Sequence, residues 1–258
     1  MLFTSKLKHI LSLTILLIST LISAQNDVLF TQGNDLYNEG KYAEAIDRYT
    51  EILDSGNHSE ALYFNLANAH YKLNNIAPSI YYYEKAMQLA PNDADIKNNI
   101  AFARNMTIDA IDVIPEGVFP KIVKRVINIM SFDNWALFAV ISMLLFVILF
   151  LGYYFAYSTS KKRLAFVGTL ASLFLLLCTL TLAFEKYHLH QKDNPAIVFA
   201  QEAKVKGEPN LRSEEAFRLH EGTKVQVLDT IKNWRKIKLT DGKTGWISSD
   251  DIKMLKKF

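Results

Sequence analysis

The 258-residue chain contains a single cysteine, Cys178, so it cannot form an internal disulfide or a multi-cysteine metal site. Cys178 lies inside a long apolar run, where we expect it to be a small side chain buried in a membrane. The net charge is only +3, and no basic stripe with interleaved aromatic residues is present. Both features argue against a nucleic-acid-binding protein.

The short motifs of common enzyme classes are also missing. The sequence has no glycine-rich phosphate loop and no HExxH, GxSxG or CxxC motif. His188 and His190 lie two residues apart with only Glu185 and Asp193 nearby, and solvated histidines are favoured there over a metal site. We therefore expect no enzymatic activity, no cofactor and no metal site.

Half of the residues are hydrophobic, and three long apolar runs hold much of that share. The first run lies within residues 1–24, where Lys6 and Lys8 precede an apolar core that ends in Ser-Ala. This arrangement is typical of a signal peptide, which we expect to be cleaved after Ala24. An uncleaved anchor helix is the alternative.

The other two runs are residues 135–157 and 164–184, each about long enough to cross a bilayer as a helix. A basic loop, residues 158–163, separates them and carries three consecutive cations. These cations, which we take as topology determinants, are Lys161, Lys162 and Arg163. Positive loops favour the cytoplasmic side, so the segments flanking this hairpin are expected outside the cytoplasm.

Residues 111–134 form a connector with an amphipathic pattern. Apolar residues between Ile122 and Met130 line one helical face, which suits a helix at a membrane interface. A helix packed on the preceding domain is the alternative. Three cations of the connector would favour the cytoplasmic side and so oppose the orientation predicted above, but they lie ten or more residues from the first membrane run. They are Lys121, Lys124 and Arg125.

Residues 26–59 and 60–93 match each other at a constant offset of 34 residues. The matched pairs are Gly33 and Ala67, Gly40 and Asn74, Tyr42 and Ile76, Ala45 and Ser79, and Tyr49 and Tyr83. Small residues allow close helix approach, large ones fill the space between units, and Gly40 and Asn74 can end a helix in the left-handed conformation. The pattern resembles the tetratricopeptide repeat, which implies two antiparallel helices per unit. With a capping helix at 94–106, the repeat domain covers residues 25–110.

The repeats carry asparagine and aromatic residues on the predicted inner face of a peptide-binding groove. An asparagine amide offers a donor and an acceptor to an extended backbone, and aromatic rings add apolar contact. The alternative is that these are surface residues and the groove binds nothing. The candidate groove residues are Phe30, Asn34, Tyr37, Phe64, Asn65, Asn68, Tyr71, Asn98, Asn99 and Phe102.

Residues 195–258 alternate apolar and polar positions, which predicts five short strands, with a two-residue turn at Asp241-Gly242. The segment resembles bacterial SH3-like domains, which implies an all-β small barrel. The matching residues are Val205, Pro209, Asn210, Leu211, Arg212, Leu219, Gly222, Thr223, Val225, Trp234, Lys236, Ile237, Asp241, Gly242, Gly245, Trp246 and Ile247. Trp234 and Trp246 either line a ligand surface or fill the core, and the core is favoured for Trp246.

The fold class is therefore a multidomain membrane protein with all-α tetratricopeptide repeats, a transmembrane helical hairpin and an all-β SH3-like small barrel. This order of parts resembles BatE, a membrane component encoded with the Bacteroides aerotolerance operon. The stretches that carry this resemblance are residues 61–66, 81–86, 92–103 and 105–110.

The resemblance implies a multi-pass protein of the bacterial inner membrane with both soluble domains in the periplasm. It also implies an envelope complex with von Willebrand A-domain membrane proteins, supervised by a MoxR-type ATPase, and a role in aerotolerance or stress resistance. We expect a non-enzymatic adaptor. The alternative is an envelope sensor whose SH3-like domain recognises peptidoglycan or cell-wall peptides, although a six-residue cytoplasmic loop is too small for an output domain.

Overall fold

The computed structural model describes residues 25–112, 114–115 and 117–255. The predicted signal peptide, residues 1–24, lies outside these residues. The described chain divides into two compact units. One contains the described residues up to Asp112 and from Asn194 onward, and the other contains those between them.

The unit that contains two separate stretches of the chain is called the discontinuous unit below. Its first stretch, up to Asp112, is a helical repeat domain. Gly40 and Asn74 both adopt positive φ angles, +80° and +60°, and end the first helix of each repeat as predicted. Ser59 and Asp93 cap the N-termini of the helices that begin at Glu60 and Ala94. Their side chains accept hydrogen bonds from Leu62 N and Ile96 N. The helices are α1 (residues 25–38), α2 (Tyr42–Asp54), α3 (Glu60–Lys72), α4 (Ile76–Leu89) and α5 (Ala94–Arg104).

The paired small and large positions pack as the 34-residue offset predicts. A Cβ added at Gly33 would lie 2.4 Å from the ring of Tyr49, so only glycine allows α1 and α2 to approach this closely. Ala45 and Ala67 are fully buried, and Tyr49 and Tyr83 are each 1 % exposed. The two tyrosines therefore form the centre of their repeats.

The second part of this unit is an antiparallel sheet in the order β3-β2-β6-β5-β4-β1-β7. Within the described residues the strands are β1 (Pro195–Val198), β2 (Glu202–Lys206), β3 (Glu215–His220), β4 (Lys224–Ile231), β5 (Trp234–Lys238), β6 (Thr244–Ser248) and β7 (Ile252–Met254). The prediction of five strands is wrong because it omitted β1 and β3. All four residues of β1 are buried, and only one of the six residues of β3 is buried, so neither strand alternates cleanly.

The predicted two-residue turn at Asp241-Gly242 is also wrong. Leu239 and Lys243 close a three-residue loop, in which Gly242 N donates to Leu239 O and Gly242 has a φ of +87°. This is the arrangement in which a tight turn is followed by a left-handed glycine. Asp241 supports the loop by accepting a hydrogen bond from Lys243 N.

The other unit consists of α6 (Val118–Ile127), α7 (Phe132–Phe155) and α8 (Thr159–Lys192). The prediction that residues 158–163 form a loop is wrong. α8 begins at Thr159, so Lys161, Lys162 and Arg163 lie in its first turns. Lysine and arginine are good helix formers, so nothing in this short segment stops the helix. The helix also continues eight residues beyond Phe184, the end of the predicted apolar run.

Small and hydroxyl-bearing residues are buried between α7 and α8. These are Ala139, Ser142, Thr169, Ser172, Thr179 and Ala183. The hydroxyls of Thr169 and Thr179 donate to carbonyl oxygens one turn earlier, so their polar atoms are satisfied within α8. Most of the large apolar side chains of α7 and α8 are exposed instead.

The sheet and the repeat domain join through β1, which is buried on both faces. Ala196 and Val198 belong to the core of the sheet. Ile197 packs instead in the cluster of the second repeat, with Ile80 of α4 and with Leu255 after β7. The close approach continues at Gly222, where an added Cβ would lie 2.8–2.9 Å from Thr107, Ile76 and Ile80.

Alanine substitutions at Gly40 and Gly222 distinguish two causes of lost stability, a strained backbone conformation and steric overlap with neighbouring side chains. Gly40 and Gly222 both have positive φ, but an added Cβ at Gly40 would meet nothing within 4 Å. We expect Gly40→Ala to lower the free energy of unfolding by about 1–2 kcal/mol, the penalty of the left-handed conformation. Overpacking of about 1–3 kcal/mol should add to this in Gly222→Ala.

The measurement is chemical unfolding of the full-length chain in mild detergent, followed by circular dichroism. Equal stability losses in the two variants would show that the junction at Gly222 accommodates an extra methyl group.

Candidate functional site

The predicted groove asparagines take part in hydrogen-bond networks that link consecutive helices. In the first network, Asn34 Oδ1 accepts from the Tyr49 hydroxyl at 2.8 Å and from Asn65 Nδ2 at 2.8 Å. These residues lie on α1, α2 and α3, so one carbonyl oxygen joins both helices of a repeat to the next repeat. Burial raises the pKa of Tyr49 to about 12, so its hydroxyl is neutral at physiological pH and donates to Asn34.

The second network is the first one displaced by 34 residues. Asn68 Oδ1 accepts from the Tyr83 hydroxyl at 2.5 Å and from Asn99 Nδ2 at 3.0 Å. Burial likewise raises the pKa of Tyr83, so the phenol stays neutral and donates at physiological pH. The repetition shows that this network belongs to the architecture of the repeat itself.

The networks change the role of the asparagines as peptide ligands. The carbonyl oxygens of Asn34 and Asn68 are already used inside the domain. The Nδ2 groups of these two residues and the carbonyl oxygens of Asn65 and Asn99 lie outside the networks and can serve other partners. The four asparagines therefore offer two amide donor groups and two amide acceptors with fixed orientations.

A pocket of about 210 Å³ opens beside the second network. It is lined by Tyr37, Asn68, Tyr71, Lys72, Tyr83, Asn99 and Phe102. Sequence reasoning named five of these and missed Lys72 and Tyr83. Tyr83 was assigned only to packing, and Lys72 has no counterpart in the first repeat, where Asn38 holds the matching position.

The remaining groove candidates lie elsewhere. Phe30 packs its ring 5.9 Å from that of Tyr49 and lines a separate pocket of about 270 Å³ with His58 and Ser59. Phe64 packs edge-on against Tyr83. Asn98 is exposed and does not line the pocket. These positions follow the 34-residue repeat, but their side chains face different parts of the domain.

The two tryptophans of the sheet occupy different environments. Trp246 is 8 % exposed, yet it lies on the face of β6 opposite the core residue Ile247. Lys236 on the neighbouring strand places its ammonium 5.9 Å from the Trp246 ring. Trp234, at the start of β5, is half-buried. Trp246 is therefore buried, as favoured from the sequence, but it lies on the face of the sheet opposite the main core cluster.

Asp109, in the segment after α5, binds the turn between β3 and β4. Its Oδ2 accepts hydrogen bonds from His220 N at 2.7 Å and from the Thr223 hydroxyl at 2.6 Å, and Oδ1 lies 2.7 Å from His220 Nδ1. Burial acts to raise the pKa of Asp109, but the hydrogen bonds from His220 and Thr223 hold it below its ordinary value. The carboxylate is therefore ionised at neutral pH and ties the sheet to the repeat domain.

Glu84 on α4 makes a second charged contact across the junction. Its side chain is only 6 % exposed and lies 2.7 Å from both Arg104 Nη2 and Lys224 Nζ. Arg104 belongs to the repeat domain and Lys224 to the sheet. A carboxylate this buried needs such partners, because loss of one would leave a charge poorly compensated.

Lys253 on β7 lies over aromatic rings from both sides of the junction. Its Nζ is 4.5 Å from the ring centroid of Tyr81 and 5.6 Å from that of Phe199. Burial lowers the pKa of Lys253. Burial, followed by the charge of Lys253, lowers the pKa of nearby His70 to about 4, so this imidazole is neutral at physiological pH.

Among the residues that the structure describes, no group of three or more histidine, cysteine or acidic side chains is arranged to hold a metal ion.

The network at Asn68 predicts a loss of stability when its carbonyl is removed. Asn68→Ala leaves the nearly buried Tyr83 hydroxyl without its acceptor, and we expect a loss of about 1–3 kcal/mol in unfolding free energy. The exposed neighbour control, Asn98→Ala, should change it by no more than about 0.5 kcal/mol. Urea unfolding of the full chain in detergent measures both. Similar values for the two variants would contradict a structural role for Asn68.

The contacts of Asp109 predict a pH-dependent contribution to stability. A carboxyl with a depressed folded-state pKa stabilises the fold above its unfolded pKa, and this contribution disappears as the pH falls through the folded value. We expect Asp109→Asn to cost about 1–3 kcal/mol at neutral pH. The difference from the unmodified protein should be constant above about pH 5 and shrink below it.

Unfolding curves between neutral and acidic pH measure this difference. Asp47→Asn, at an exposed acid on α2, is the matched control and should follow the unmodified protein. A stability difference for Asp109→Asn that persists unchanged at low pH would show that the charge of Asp109 has no part in it.

Comparison with known families agrees with the folds of both the helical repeat domain and the sheet. Residues 202–253 match the family model of the bacterial SH3 domain, and residues 60–93 match that of the tetratricopeptide repeat. No curated protein matches the chain. A solved structure, an NlpC/P60 family protein from Bacillus cereus ATCC 10987, is 13 % identical over 27 % of this chain, with a TM-score of 0.21.

The match spans 23 % of that protein. The two family matches, by contrast, coincide with the second helical repeat and with strands β2 to β7. The chain therefore contains a tetratricopeptide repeat and a bacterial SH3 domain.

Proposed function

We propose that the chain is a non-enzymatic membrane-anchored adaptor, which presents a tetratricopeptide groove and an SH3 domain as one docked binding unit. The observation that carries this proposal is the use of opposite sides of α4. Tyr83 points to the groove pocket, whereas Tyr81 and Glu84 contact the SH3 domain. The SH3 domain thus fixes the second repeat without covering the pocket.

The surface of α7 and α8 supports the membrane anchor. Both helices are long and apolar enough to cross a membrane, and only 11 % and 17 % of their most apolar 18-residue stretches is buried. A core helix of a soluble protein would be mostly buried. Small residues between the helices and large apolar residues outside them are typical of helix pairs in lipid.

Charge at the hairpin tip supports a particular orientation. Lys161, Lys162 and Arg163 are exposed at the start of α8, and such clusters favour the cytoplasm. The docked domains then lie in the periplasm of a multi-pass protein of the inner membrane. A bacterial SH3 domain is typical of the cell envelope, which agrees with this location.

The proposed ligand of the groove is an extended segment of a partner protein. The amide groups of Asn68 and Asn99 can pair with its backbone, and Tyr71 and Phe102 can contact its side chains. Phe102 is 60 % exposed, so the pocket has an apolar rim that binding would cover. The resemblance to BatE extends the proposal to an envelope complex with von Willebrand A-domain membrane proteins and to aerotolerance or stress resistance.

An envelope sensor that binds peptidoglycan through the SH3 domain is the second candidate. The observation that favours it is the ordered, exposed loop between β2 and β3. Asn210 Oδ1 accepts hydrogen bonds from Arg212 N and Ser213 N, and Leu211 between them is 85 % exposed. An exposed leucine on a loop held in one conformation is suited to contact a ligand.

Cross-linking in intact cells, followed by identification of bound proteins, tests the adaptor. We expect Phe102→Ala to weaken partner binding by about tenfold, a usual effect of removing an aromatic anchor. Leu89→Ala, at a 40 % exposed position of α4 outside the pocket, is the matched control and should bind normally. Equal partner recovery from both folded variants would remove the groove from the proposal.

Co-sedimentation with purified peptidoglycan distinguishes the second candidate. Retention of the full chain that Leu211→Ala abolishes and Phe102→Ala leaves intact would favour the sensor. The full chain is used because Ile197 and Leu255 are buried against the second repeat, and an isolated SH3 segment would expose them.

A further inference from the structure

The amphipathic helix α6 is fixed at one end of the α7–α8 pair with its apolar side chains uncovered. Ile127, its last residue, is 4 % exposed, and Trp135 Nε1 donates to Ile127 O at 3.1 Å. Phe132, at the start of α7, lies 5.3 Å from the ring of Tyr187 on α8. The start of α7, the end of α8 and the end of α6 therefore meet at the same level.

A pocket of about 410 Å³ lies at this level, between α6 and the last turns of α8. It is lined by Lys124, Asn128, Lys186, Leu189, His190 and Asp193. Two lysines and one aspartate line this pocket, so lysine charge exceeds carboxylate charge there. Lys186 Nζ donates to Asn128 Oδ1 at 2.6 Å, a neutral partner that does not compensate the charge of the lysine.

The charged pocket lies just beyond the end of the apolar run of α8. Lys186 follows Phe184, the last residue of the apolar run, by two positions. In a helix that crosses a bilayer, this is the depth of the lipid headgroups. Side chains of α6 add an apolar surface to the same region, since Val118, Phe119 and Ile122 are 78 %, 75 % and 55 % exposed.

We propose that this pocket binds the headgroup phosphate of an anionic phospholipid, with the acyl chains against the apolar side of α6. The inference rests on the proposed membrane anchor. A phosphodiester accepts hydrogen bonds from ammonium and amide groups, and basic pockets between membrane helices hold lipid headgroups in this way. Apolar side chains around the pocket fit a lipid better than a free phosphate ion.

This lipid site also accounts for one of the three cations before α7 that oppose the predicted orientation. Lys124 lies on the side of the membrane opposite the hairpin tip, where positive charge is not favoured by the orientation rule. A local function in lipid binding accounts for its presence there without a change in the direction of the spans.

The test uses the full chain in neutral detergent, with native mass spectrometry and thermal unfolding after addition of defined ligands. We expect phosphatidylglycerol to bind and stabilise the protein more than phosphatidylcholine or inorganic phosphate does. Lys186→Gln should weaken phosphatidylglycerol binding by about fivefold. Lys162→Gln, a matched change at the other end of α8, should leave the binding unchanged.

Equal phosphatidylglycerol binding by Lys186→Gln and the unmodified protein would overturn the lipid site. So would equal stabilisation by inorganic phosphate, which would identify an anion site without lipid specificity. Flotation of the unmodified protein with phosphatidylcholine vesicles tests the membrane anchor separately from the lipid site. Failure to float would overturn the membrane anchor and the lipid site together, whereas normal flotation without preference for phosphatidylglycerol would overturn the lipid site alone.

Discussion

The burial of strand β1 on both faces is the constraint on which the discontinuous unit depends. Through Ala196 and Val198 the strand belongs to the SH3 core, and through Ile197 it belongs to the hydrophobic cluster of the second repeat. Neither domain can keep this strand buried alone. Stacked helical repeats bury their apolar faces only against a neighbour, and in this chain a sheet supplies part of that cover.

Polar contacts give this apolar junction a defined orientation. Asp109 accepts three hydrogen bonds from the turn around His220 and Thr223, and buried Glu84 pairs with Lys224. Hydrophobic contact is not directional, whereas charged hydrogen bonds require particular geometry. The orientation matters for binding because Tyr83, on the other side of α4, forms part of the groove pocket.

The parts of this fold that follow a period could be predicted, and those that depend on distant residues could not. The 34-residue offset identified the close packing at Gly33 and the left-handed ends at Gly40 and Asn74. It also aligned the asparagines, but not their hydrogen bonds to tyrosine, which depend on how the helices stack. Strand β1 was missed because its second buried face is created by α4, more than 100 residues earlier in the chain.

The discontinuity of the first unit has a consequence for counting membrane crossings. The chain leaves this unit after Asp112 and returns to it at Asn194, and the two halves are docked, so both must reside in the same compartment. A chain that starts and finishes on one side of a barrier has crossed it an even number of times. If α7 traverses the membrane, α8 must therefore traverse it in the opposite direction. A single crossing would place β1 and α4 on opposite sides, where neither domain could complete its core.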